Sequence, residues 1–186
     1  MRILTAGVVA AAVVVTGCGS DKHGVSQTDV QAYAALAQQI SSAASGYGTA
    51  ANATFDVSGC QSTHAAYDAQ VRPMVGRMGA MSGGMDQQME MMGHTADADM
   101  SCGADAMVAD LDHHDAVACT STMMSANYAE ATRHATAMTT WADHQHARAD
   151  EMGGMMGTGG GMMDPGSATS TMTCHRNGDG TFTLAP

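Results

Sequence analysis

The chain has 186 residues, enough for one domain of common size and too few for two comfortable cores. Seven lysines and arginines stand against 18 aspartates and glutamates, a formal net charge of −11, which argues against nucleic acid as a partner. Such an acidic balance serves solubility or a general attraction for cations, and by itself chooses neither.

The chain opens with one positive charge, Arg2, then an apolar run from Ile3 to Val15, then Thr16-Gly17-Cys18. A spanning helix needs roughly 20 apolar residues, and this run stops short, so the pattern predicts a cleaved signal peptide over 1–17. The stretch Val15-Thr16-Gly17-Cys18 resembles the lipobox of bacterial lipoproteins. That resemblance implies acylation of Cys18 and attachment to a membrane of the cell envelope, facing the periplasm or cell surface. Residues 18–27 are mainly small and polar and suit a tether.

Helical periodicity follows. Thr28 with Gln31 has capping-box spacing, and Val30, Tyr33, Ala37, Ile40 and Ala44 recur at three and four, with Gly46 as the expected stop. Residues 47–59 are expected to be loop, with a short strand over 54–57. A second helix is expected from Cys60, with His64, Tyr67, Val71, Met74, Met78, Met81 and Met85 on one face, weakened late by Gly76, Gly79, Gly83 and Gly84. An acidic loop over 93–101 leads to a third helix expected to end near Met124. Asn127 and Glu130 have the spacing of a cap for the fourth helix, which carries Ala131, His134, Met138, Trp141, Gln145 and Met152 and closes at Gly153-Gly154. The expectation is a mainly α, antiparallel four-helix bundle over 28–152. A flexible Gly/Met-rich segment over 153–170 and a hairpin tail over 171–186, around Asn177-Gly178-Asp179-Gly180, complete it. Four cysteines remain beyond the lipid site: Cys60, Cys102, Cys119 and Cys174. In an exported chain they read as two disulfides of open connectivity, and no CxxC pair suggests a redox or zinc site.

Methionine is the outlier of composition, with 19 residues. Thioethers near histidine are soft ligands that favour Cu(I), while the bland alternative is methionine as flexible core filler. Each of three helices pairs a histidine with a carboxylate four residues away: His64 with Asp68, Asp110 with His114, and Glu130 with His134. The histidines lie on the inward stripes, where an imidazole needs a partner. Counting residues from the turn near Ser125 puts His114 and His134 level, and Met78 to Met85 beside them, with His64 far beyond. The expected copper site is therefore His114 and His134 with Met78 and Met81, and Asp110 or Glu130 as ligand or orienting group. His144 and His146 fall off the stripes, as does His113.

The segment from about 104 to 152, with Asp112-His113-His114-Asp115-Ala116 and then Trp141, Gln145 and Glu151-Met152, resembles the hairpin half of a family of exported ferritin-like four-helix proteins. That family carries a His-His motif with methionines and is associated with copper. The resemblance implies metal binding through His113 or His114. Arg148 stands where that family usually has an acidic residue. A di-iron oxidase would need two Glu-x-x-His motifs and further glutamates, and this chain has three glutamates in all. GxSxG, HExxH and phosphate-loop motifs are absent, so no enzymatic activity is expected. The competing expectation is an envelope lipoprotein that contacts another protein and has no physiological metal.

Overall fold

A computed structural model describes residues 25–91, 103–157 and 173–185. The expected leader, Cys18, the expected tether up to residue 24, the expected acidic loop, Cys102 and most of the Gly/Met-rich segment lie outside the described residues. Four helices, α1 (Gln27–Asn52), α2 (Val57–Met91), α3 (Ala104–Val117) and α4 (Met124–Gly157), form a bundle. A hairpin of β1 (Thr173–Arg176) and β2 (Phe182–Ala185) follows. Among the described residues no helix is long and apolar enough to cross a membrane.

α1 starts two residues earlier than expected. Ser26 is its cap and Asp29, not Gln31, closes the box: the Asp29 N–H donates to Ser26 Oγ, and the Ser26 N–H donates to Asp29 Oδ2 at 2.9 Å. Gly46 does not stop it. Without a side chain at Gly48, α1 lies close against α4, where a Cβ would meet that of Ala135 at 3.0 Å, and this packing carries the helix on to Asn52. The expected strand over 54–57 is replaced by a turn. Asp56 caps α2 there, accepting from the Gly59 N–H at 2.7 Å.

α2 stays helical through its glycines and through Pro73. α3 ends seven residues short of the expected Met124. Cys119 adopts φ +57°, a left-handed conformation that no helix continues, and its disulfide to Cys60 ties the start of α2 to the end of α3. Asn127 is not the cap of α4. It sits inside the first turns and bonds back to Ser121, donating to its carbonyl at 2.9 Å and accepting from its N–H at 3.1 Å. α4 also runs past Gly153-Gly154 to Gly157.

One apolar cluster joins all four helices, with Ile40, Val71, Val75, Met78, Met107, Leu111, Met138 and Trp141 buried. The hairpin pairs Thr173 with Ala185 and Arg176 with Phe182, and Gly180 takes φ +92° in its turn. It docks through buried Phe182, through an ion pair of Arg176 with Asp105 at 2.6 Å, and through a His113 Nδ1 contact to the Asp179 carbonyl at 2.9 Å. Cys174 is disulfide-bonded as well.

Candidate metal centre and its tyrosine-histidine network

The buried interior near the α1–α2 turn is polar. His114 of α3 and His134 of α4 are fully buried. Their rings stack with centroids 4.1 Å apart and planes within 2°. The expected level of the two imidazoles is thus where the helices put them. Their carboxylate partners are exchanged, however. Glu130 reaches His114 Nδ1 at 2.9 Å and Asp110 reaches His134 Nδ1 at 2.6 Å, each across the hairpin rather than along its own helix.

Arg133 spans both carboxylates, donating to Asp110 Oδ1 at 2.8 Å and to both Glu130 oxygens at 2.8 and 2.9 Å. Burial opposes ionisation of Glu130, but the hydrogen bonds from His114 and Arg133 outweigh it and bring its pKa down to about 2. Asp110 is likewise held below the usual carboxylate range: burial pushes it up, and His134 and Arg133 pull it down further. For His114 burial is the largest influence and lowers its pKa, against the raising effect of Glu130. Its neutral form follows, with Nδ1–H donating to Glu130 and a lone pair on Nε2.

That lone pair meets Tyr47. The Tyr47 hydroxyl lies 2.8 Å from His114 Nε2, and the Tyr67 hydroxyl lies 3.0 Å from His134 Nε2. The two phenol rings stack in turn, 4.3 Å apart and 15° from parallel. Burial is the main cause that pushes both phenols above their ordinary range, so they remain protonated donors. Two parallel relays result, Tyr47–His114–Glu130 and Tyr67–His134–Asp110.

His64 also belongs to this level, its ring 5.0 Å from that of His114. The expectation that it lies far away is corrected. Its Nε2 is buried and 3.0 Å from an Asp115 oxygen, in a direction that forms no hydrogen bond, and burial and then His114 lower its pKa. Met78 and Met81 are not beside the pair. Tyr67 is the α2 residue at His134, and Met78 is roughly 16 Å further along the helix axis at helical rise. The count from the loop fails because α2 overruns the start of α3: Gly79 is already opposite Ala104, and the Cys60–Cys119 bond fixes that offset. Met78 fills the apolar core instead. His113 turns to the hairpin, away from the pair.

A groove of about 940 Å³ runs between α1 and α2, walled by small and amide side chains such as Ala43, Gly46, Ala66 and Gln70, with Tyr47 and Tyr67 in its lining. Among the described residues no group of three or more His, Cys, Asp or Glu side chains converges as a cation site would require. No family model matches the chain, and no curated protein or solved structure does.

Proposed function

We propose that this chain is a non-catalytic, metal-handling lipoprotein of the bacterial cell envelope, anchored through Cys18, which binds a soft transition metal, copper first, at His114 and His134. The observation that carries the reading is the pair of buried imidazoles whose Nδ1 atoms are fixed on Glu130 and Asp110. That carboxylate-to-histidine arrangement orients metal ligands and raises their basicity, leaving Nε2 as the donor. Met138, one turn beyond His134 on α4 and fully buried, offers a thioether on the same helical face.

Coordination asks for movement. Parallel rings direct their lone pairs in parallel, so one ion at about 2 Å from both Nε2 atoms requires the stack to open and the tyrosine hydroxyls to withdraw. The α1–α2 groove gives the phenols room to do so. Tyr47, Tyr67 and Arg133 then act on the site by capping the lone pairs and holding the carboxylates.

A second reading has its own support: every ring nitrogen of His114 and His134 already has a protein partner, which suits a structural network in a module that contacts another envelope protein. Competition titration of the full chain in detergent with Cu(I), Cu(II) and Zn(II) separates the two. The metal reading expects stoichiometric Cu(I) binding that is lost in His114→Ala/His134→Ala and weakens as the medium is acidified through the histidine range. Weak binding indifferent to those substitutions supports the structural module.

A further inference from the structure

We propose that Tyr47 and Tyr67 form a proton-coupled redox site that yields an electron to a one-electron oxidant while the phenolic proton stays inside the network. The chain has four tyrosines, and their hydroxyl partners divide them. Tyr33 donates to the amide oxygen of Gln145 at 2.7 Å, and Tyr128 donates to the Thr54 carbonyl. Neither acceptor is a base. Among the tyrosine hydrogen bonds of the described residues, those of Tyr47 and Tyr67 meet imidazole nitrogens, at 2.8 and 3.0 Å.

A phenol that loses an electron becomes a strong acid, and in a low-dielectric interior the charge has to be neutralised at once. Here the proton crosses an existing hydrogen bond. The O–H bond of Tyr47 breaks, an N–H bond forms on His114 Nε2, and the electron passes to the oxidant, leaving a neutral tyrosyl radical and an imidazolium. The new cation is met by Glu130 on its other nitrogen, as the one formed on His134 is met by Asp110. Reduction of the radical returns the proton along the same bond. The stacked phenols can share the unpaired electron, and both line the α1–α2 groove, where an outer-sphere oxidant such as an oxidised metal complex or a small radical can approach. The bundle would thereby act as a sink for oxidising equivalents. This inference uses the network without metal and does not depend on the copper reading.

The test is flash oxidation of the full-length chain, stripped of metal with a chelator, by a photogenerated ruthenium(III) polypyridyl complex, followed by electron paramagnetic resonance of the trapped radical. A tyrosyl signal that persists in Tyr33→Phe/Tyr128→Phe, disappears in Tyr47→Phe/Tyr67→Phe and forms more slowly in D2O supports the proposal. A radical on Tyr33, Tyr128 or Trp141 that is unchanged in Tyr47→Phe/Tyr67→Phe, or formation without a solvent isotope effect, overturns it. Should that double variant fail to fold, the wild-type signal decides. Coupling to an exchangeable proton on an imidazole nitrogen supports the proposal, and its absence overturns it.

Discussion

Around Val71, Val75, Met78 and Met85 the bundle interior is filled by aliphatic and thioether side chains, whereas nearer the α1–α2 turn it is filled by two stacked ring pairs, phenols and imidazoles, with two carboxylates and a guanidinium behind them. The apolar end gains from removal of hydrocarbon from water and tolerates changes of shape. The polar end has to offset the desolvation of Asp110 and Glu130, and it does so only while every partner stays in place. The cross-link from Cys60 to Cys119 lies at that polar end, where cohesion is most in need of support.

Four experiments probe this contrast. The largest effect is expected from Cys60→Ala/Cys119→Ala, since the bond closes a loop with a sequence separation of 59. Chain entropy puts the loss at about 4 kcal/mol, readable by denaturant unfolding, and a much smaller change would mean the polar end holds itself. Next is Arg133→Met, which takes the guanidinium from buried Asp110 and half-buried Glu130 and leaves each only its imidazole partner. About 3 kcal/mol is expected, with Asp110 and Glu130 titrating at higher pH. Retention of full stability would refute the clamp. Met78→Ala at the apolar end should cost about 2 kcal/mol through the cavity it leaves, without altering the titration of either carboxylate. The smallest effect belongs to the exposed Arg176–Asp105 pair, where Asp105→Ala should cost under about 1 kcal/mol and diminish further in salt.

Acid sharpens the same contrast. His114 has a lowered pKa in the fold relative to its ordinary 6.5, so below that value the unfolded chain binds more protons. Its contribution is complete above the ordinary imidazole range and is lost as pH falls through the folded value. Glu130 behaves likewise below its ordinary 4.5, down to about 2. Thermal melting of the metal-free chain should therefore worsen steadily on acidification, and less steeply in His114→Gln. A flat profile would contradict the neutral, carboxylate-bound imidazole.

How far the residues foretell this arrangement depends on range. Spacing along each helix was enough for four helices, a terminal hairpin and level imidazoles on α3 and α4, because those follow from a fixed rise and a short turn. Carboxylates one turn from each histidine were visible too, but spacing alone cannot say whether they bond along a helix or across to its neighbour. Tyr47 was hidden by Gly46, which looks like a terminus in isolation and is overruled by the packing of α1 on α4. The height of α2 is not legible in the spacing because it depends on a disulfide and on the overhang of two unequal helices, and neither is a local property.

Gln27 and Tyr47 stand at opposite ends of α1, roughly 30 Å apart at helical rise. The stacked rings therefore lie at the end of the bundle remote from the residues that precede α1.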